Sequence, residues 1–142
     1  MIREQTFHLT LPGKWTGGHD RTSQSEGSSG KEAVTVGILR RAAGADLATM
    51  KEDFHGYLQL RRQQEQALAG GIALTEPRTE SVRDALTARY DGMDSSSGRR
   101  THTYVIINSK AAASFYYEAM EMSQAEFDTR AKQVLGHVGL VH

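Results

Sequence analysis

The chain has 142 residues, and its 17 lysines and arginines balance 17 aspartates and glutamates, so the formal net charge is zero. The length predicts one domain over residues 1–142, large enough to bury a core without covalent cross-links. The absence of cysteine excludes disulfides, thiolate metal sites and cysteine nucleophiles. Zero net charge disfavours general nucleic-acid binding, because proteins that grip phosphate backbones usually carry a basic excess.

The sequence contains no run that approaches the roughly 18 consecutive apolar residues of a membrane span. Its first 15 residues lack an apolar segment followed by a small-residue cleavage site. We therefore expect a cytoplasmic protein that begins natively at Met1.

The first elements are predicted to be strands. Phe7, Leu9 and Leu11 alternate with polar residues, which is typical of a half-buried strand, and Trp15 is expected to pack in the core. Residues 16–31 are rich in Gly, Ser and Thr, and they form either a long loop or a weakly marked strand near 20–24. Residues 33–39 are apolar on both faces, which predicts a central, covered strand.

A helical period follows. Apolar residues recur at intervals of three and four from Leu47 to Leu68, with a polar opposite face. Asp46 is placed to cap the N-terminus, and Gly70-Gly71 to end the helix.

The rest of the chain predicts a sheet and a last helix. Strands are expected over 72–75, which Pro77 ends, and over 82–93, 101–108 and 113–120. Ser123 and Glu126 form an S-x-x-E capping box, and Phe127, Ala131, Val134 and Val138 form an apolar stripe. Strands joined by short turns between two helices predict an α+β domain, an antiparallel sheet flanked by two amphipathic helices.

Several segments together resemble a known fold. They are "FHLTLPGKW", "VTVGILRR", the long helix, "VRDALTARYDGMD", "THTYVIIN", "ASFYYEAM" and the terminal helix. This order resembles the Mog1/PsbP-like fold, and within it bacterial DcrB-like proteins and type VI secretion effector-associated chaperone and immunity proteins. The resemblance implies an α/β/α sandwich that binds other proteins and catalyses no reaction.

The serine-rich tip at 95–100 allows three interpretations. Free amides near Gly98, with Arg99 and Arg100, could cradle an anion. The tip could instead contact a partner, or form only a solvated turn with a charged edge. No phosphate-loop motif accompanies it.

No catalytic or metal signature is complete, so we predict no enzyme activity, no cofactor and no metal. The six histidines show neither i, i+4 spacing nor an H-x-H or H-E-x-x-H pattern, and no G-x-S-x-G elbow occurs. Asp91 and Asp94 would act as an acid and base pair only if burial separated their pKa values.

The residues expected to bind a partner are arginines, tyrosines and one aspartate near the hairpin, because arginine and tyrosine most often anchor interfaces. They are Arg89, Asp91, Arg99, Arg100, Tyr104 and Tyr116. Ordinary cross-strand packing is the alternative for the tyrosines. The doublets at 40–41, 61–62 and 99–100 would form a basic patch only if the fold gathered them.

We therefore expect a non-enzymatic protein that binds a protein partner, as an immunity protein that occludes a cognate toxin. A secretion chaperone is the first alternative and predicts an exposed apolar sheet groove. A small-ligand or enzymatic domain is the second, and it predicts a pocket with convergent polar groups such as His102 and Asp91.

Overall fold

The structure, a computed structural model, describes residues 2–3, 7–9, 16–17, 22–27, 30–40, 47–69, 72–82, 85–108, 111–135 and 138–140. In chain order, these residues form β1 (Ile2–Arg3), β2 (Phe7–Leu9), β3 (Thr16–Gly17), β4 (Thr22–Gly27), β5 (Gly30–Arg40), α1 (Leu47–Ala69), β6 (Ala73–Leu74), β7 (Arg78–Val82), β8 (Ala85–Asp94), β9 (Arg99–Ile107), β10 (Ala111–Ala119), α2 (Gln124–Leu135) and β11 (Val138–Leu140).

The strands form two antiparallel sheets. The main sheet has eight strands in the order β3-β4-β5-β10-β9-β8-β6, with β7 also paired to β8. A small sheet has the order β1-β2-β11. The predicted α+β class with an antiparallel sheet is confirmed, and β5 lies between β4 and β10 as a central strand.

The two helices pack on opposite faces of the main sheet. Met50, Phe54 and Leu58 of α1 pack with Val105 and Ile107 of β9. The intervening β9 residues Tyr104 and Ile106 belong to the second core cluster, with Phe127, Ala131, Val134 and Leu135 of α2. Because side chains alternate along a strand, the sheet has an α1 face and an α2 face, and the architecture is an α/β/α sandwich.

Local signals place the helices well. The predicted α1 is observed over Leu47–Ala69. The capping box of α2 is formed, since the Glu126 amide donates to Ser123 Oγ at 3.2 Å. The helix ends at Leu135, however, and Val138 pairs with Leu9 in the small sheet instead of extending the helical stripe.

Two further strands were predicted weakly or missed. β4 lies in the polar segment 16–31, where pairing with β5 outweighs the poor strand propensity of Ser and Gly. β7 follows Pro77, which was expected to end the strand. A proline is compatible with an edge strand, because the missing N–H removes no inner ladder bond.

β6 and β7 lie along the same edge of β8 with a shift in register. Leu74 pairs with Gly92 and Arg78 with Arg89, so three residues (75–77) oppose two residues of β8. One extra residue is therefore accommodated, as in a β-bulge. The Thr75 hydroxyl accepts from the Asp91 amide at 2.9 Å, and the Thr75 amide donates to the Asp91 carbonyl at 2.9 Å.

The predictions for Leu11, Trp15, Asp46 and Gly70-Gly71 concern positions outside the described residues. Within the described residues, neither helix is long and apolar enough to cross a membrane.

Candidate functional site

A polar cleft opens on the α2 face, between the outer strands β7, β8 and β9 and helix α2. Its volume is about 470 Å³. Charged side chains dominate its lining, which consists of Arg78, Arg89, Asp91, His102, Asp128, Ala131 and Lys132. We call this feature the polar cleft.

An aspartate–histidine pair lies in the polar cleft. Asp91 and His102 are directly opposite each other on β8 and β9, and Asp91 Oδ1 lies 2.7 Å from His102 Nδ1. The hydrogen bond from His102 lowers the pKa of Asp91 below its ordinary value, against the opposing effect of burial. Asp91 is therefore a carboxylate at neutral pH.

The surroundings of His102 define its tautomer. We assign a proton to Nδ1, because the Asp91 carboxylate can only accept. The other ring nitrogen, Nε2, lies 3.5 Å from Nη1 of Arg89, which can only donate. With Nε2 as the acceptor, His102 receives a weak hydrogen bond from Arg89.

Arg89 is a half-buried cation on the wall of the polar cleft. Its guanidinium carbon lies 3.9 Å from the centroid of the Tyr104 ring, a cation–π contact. Burial lowers the pKa of Arg89 from its ordinary value. Among the described residues, no carboxylate lies within ion-pair distance of this guanidinium.

The rim carries the remaining charges. Arg78 is largely exposed, with Nη2 3.9 Å from Asp91 Oδ2. Asp128 accepts a hydrogen bond from Gln124 at 2.7 Å, and Lys132 is exposed one helical turn further along α2. Three cations against two carboxylates leave one net positive charge in the lining when His102 is neutral.

A second cavity of about 370 Å³ adjoins the first and shares Asp91. Arg100 lines it and donates to the Met122 carbonyl at 3.1 Å and to Gln124 Oε1 at 2.5 Å. Arg100 therefore holds the start of α2 against β9.

The structure divides the six predicted partner-binding residues between the two faces. Arg89, Asp91, Arg100 and Tyr104 belong to the α2 face, although Tyr104 is buried beneath Arg89 with only 9% of its surface exposed. The other two, Arg99 and Tyr116, lie on the α1 face. Arg99 Nη1 is 3.4 Å from Glu118 Oε2, and the Tyr116 hydroxyl donates to the same oxygen at 3.2 Å.

The serine-rich tip is an ordered turn with an aspartate at its base. Asp94 accepts from the Ser96 amide at 3.1 Å and from the hydroxyls of Ser96 and Ser97 at 2.7 and 3.0 Å. The Gly98 amide donates to the Asp94 carbonyl at 2.8 Å, with Gly98 at φ 76°. The amides that an anion cradle would need are occupied by Asp94, whose pKa these hydrogen bonds lower.

Asp91 and Asp94 do not form a carboxylate pair. They are three residues apart on β8 and project to opposite faces of the sheet, as do Tyr116 and Tyr117 on β10. In the described part of the chain, no cluster of three histidine or acidic side chains could hold a metal ion. His8 and His102 lie on strands of different sheets.

Sequence reasoning missed a buried glutamate on the α1 face. Glu65 accepts hydrogen bonds from the hydroxyls of Tyr90 and Thr103 and is 3% exposed. The signal was present, because Glu65 lies seven residues after Leu58 on the apolar stripe of α1. The cleft residues Arg78, Asp128 and Lys132 were also missed.

The sandwich and its antiparallel sheet define a PsbP-like α+β fold. The solved structure that carries this assignment is the solution structure of cyanobacterial PsbP (CyanoP) from Synechocystis sp. PCC 6803. It is 10% identical to this chain, with a TM-score of 0.53, over 99% of this chain and 95% of that one. No protein-family model and no curated protein matches the sequence.

Proposed function

We propose that this protein is a non-enzymatic domain that binds another protein at the polar cleft. In its specific form the proposal is a cytoplasmic bacterial immunity protein that neutralises a cognate type VI toxin by occluding its active site. The supporting observation is Arg89, which is half-buried at the cleft without a carboxylate partner among the described residues. Arginine and tyrosine are enriched among interface anchors, and here Arg89 stacks on Tyr104.

The geometry of His102 supports a binding role over catalysis. A general base needs a free nitrogen that can reach a substrate proton. In the described part of the chain, the side-chain partners of His102 are Asp91 and Arg89. Its Nε2 lies 3.5 Å from Arg89 Nη1 and accepts from that group, so it is not a free nitrogen.

The chaperone form of the proposal has less support. An apolar groove for a client helix requires a contiguous exposed apolar face. Among the described side chains, the exposed large hydrophobic residue is Leu60 alone, on α1. Strands β9 and β10 contribute buried residues to the clusters under both helices, so both of their faces are covered.

The test uses the products of the genes adjacent to the one that encodes this chain. We expect one product to be toxic alone, to bind this protein, and to be neutralised by it. Arg89→Glu should abolish neutralisation while the protein stays folded, because it reverses the charge at the cleft. Lys51→Glu, on exposed α1, is the matched control and should neutralise normally. If no neighbouring product binds, or if Arg89→Glu protects as well as the native chain, the proposal is wrong.

A small-ligand or enzymatic domain is the second candidate. It is favoured by one observation, the Asp91–His102 pair beside a 470 Å³ cleft, because such sites combine a pocket with a few convergent polar groups. Turnover of a small molecule by the purified protein, lost in a folded His102→Gln variant, would establish this candidate in place of the first.

A further inference from the structure

The N–H edge of Arg89 is available at the polar cleft. One face of the guanidinium is stacked on Tyr104, and Nη1 makes a single long contact of 3.5 Å to His102 Nε2. A guanidinium carries five N–H donors in one plane. Stacking occupies the face of that plane and leaves its edge for a ligand that accepts hydrogen bonds.

The ligand chemistry follows from this edge. Planar, two-oxygen anions match the fork of N–H groups on arginine and form paired hydrogen bonds with it. A neutral ligand would add no counter-charge to the half-buried guanidinium, whereas an anion would add one.

The net charge of the residues that line the polar cleft favours an anion with a single negative charge. The residues that line the polar cleft carry one excess positive charge, from Arg78, Arg89 and Lys132 against Asp91 and Asp128, and Glu80 acts on Arg89 from outside this lining. A carboxylate with one negative charge balances this excess. A phosphate dianion would add a second negative charge beside Asp91, which is held as a carboxylate by His102.

We propose that the polar cleft is a carboxylate-binding site, in which Arg89 donates a pair of hydrogen bonds and Lys132 and Arg78 add charge at the rim. The carboxylate that occupies the site is an aspartate or glutamate side chain of the protein partner. This choice of source rests on the proposed function. The site itself is testable without a partner.

The experiment is a titration with sodium acetate at constant ionic strength, followed by NMR. The ring protons of His102 report occupancy because Nε2 lies beside Arg89, and a His102→Gln variant assigns their signals. We expect a saturable shift with acetate and a weaker response to inorganic phosphate at the same concentration.

Matched variants locate the response. Arg89→Gln should weaken acetate binding by about tenfold or more, the loss expected for a charged, paired hydrogen bond. Arg62→Gln is the control. The guanidinium carbon of Arg62 also lies over a tyrosine ring, 4.8 Å from the centroid of Tyr90, but Arg62 belongs to α1, on the other face of the sheet. Asp128→Asn removes a repelling charge from the lining and should tighten binding by about threefold. A gain of affinity cannot result from misfolding.

The outcomes separate this inference from the proposed function. No saturable shift with acetate, an unchanged affinity in Arg89→Gln, or tighter binding of phosphate than of acetate would overturn the carboxylate site. If acetate binds as expected and no neighbouring gene product binds the protein, the site stands and the proposed partner is refuted. If a partner binds through Arg89 but acetate does not bind, the proposed function stands and the carboxylate site is refuted.

Discussion

An ion pair between Arg130 and Glu32 attaches α2, one wall of the polar cleft, to the central strand β5. Glu32 is buried and accepts from Arg130 Nε at 2.5 Å, from Arg130 Nη2 at 3.1 Å and from the Tyr117 hydroxyl at 2.6 Å. The Arg130 side chain is 25% exposed, whereas that of Glu32 is 1% exposed. The two partners therefore differ in access to water, and their removal should have unequal effects.

Arg130→Met leaves the Glu32 carboxylate buried with one donor, the Tyr117 hydroxyl. Breaking a buried pair in this way costs about 3–5 kcal/mol, and we expect the lower end, about 3 kcal/mol, because the pair lies near the surface. Glu32→Gln keeps an acceptor for Tyr117 and leaves Arg130 able to reach solvent. Glu32→Gln should therefore lower the free energy of unfolding by about 1 kcal/mol, as for the loss of an ordinary hydrogen bond.

The assay is urea unfolding at neutral pH, with the free energy of unfolding compared between variants of equal denaturant slope. Lys132→Met on the same helix is the matched control, and it should change stability little because Lys132 is exposed. The double variant Arg130→Met with Glu32→Gln should be more stable than Arg130→Met alone, since the uncompensated buried charge is gone.

Burial of the Glu32 carboxylate should make the loss of Arg130 the costlier of the two changes. If Glu32→Gln destabilises the protein as much as Arg130→Met, or if adding Glu32→Gln fails to rescue Arg130→Met, the buried charge is not the source of the cost.

Four further predictions concern pH and packing. Burial raises the pKa of four tyrosines, so the folded state keeps these phenols neutral after the unfolded chain begins to ionise. Stability should therefore be intact below pH about 10 and decline as the pH rises from there towards the folded pKa values. The lowered pKa of Asp91 gives the opposite dependence: its stabilisation is present above pH about 4 and is lost on acidification, and Asp91→Asn should flatten that part of the acid unfolding curve. Gly92→Ala should destabilise by about 1–3 kcal/mol, because its Cβ would lie 2.4 Å from Thr101 Oγ1. Gly56→Ala, with open space in α1, should stabilise by about 0.5–1 kcal/mol. The four tyrosines whose pKa burial raises are Tyr90, Tyr104, Tyr116 and Tyr117.

Each of these has a clear contrary result. Ultraviolet titration that finds all tyrosines ionising near pH 10 would contradict the burial effect. An unchanged acid unfolding curve in Asp91→Asn would show that the His102 contact adds no stability. Equal effects of the two alanine substitutions would mean that Gly92 is not a site of close approach.

The two strands of the central hairpin could be predicted from the sequence, with ends one to three residues from those observed. Its turn at 95–98 fixes the register of β8 and β9, and this register places Asp91 opposite His102 and Arg89 opposite Tyr104. Alternation then separates Arg99 from Arg100, so the doublet could not form one patch. Local rules were sufficient there because the paired residues are close in sequence.

The other wall of the polar cleft could not be predicted from local patterns. Lys132 and Asp128 reach it only because α2 docks on the α2 face, and their exposed helical positions indicate nothing more than a solvated surface. Glu32 is a charged residue in a strand, and its burial depends on Arg130, 98 residues later. Long-range pairing of this kind leaves no periodic signal.

The register shift beside Pro77 also determines how the outer strand distributes its side chains. Leu74 and Arg78 are four residues apart, which in an unbroken strand would set them on the same side. With one residue added between them, Leu74 contacts the apolar layer under α1 while Arg78 reaches the opposite surface and approaches Asp91. A length change at this single point would thus alter the charge that lines the polar cleft without any substitution in the hydrophobic interior.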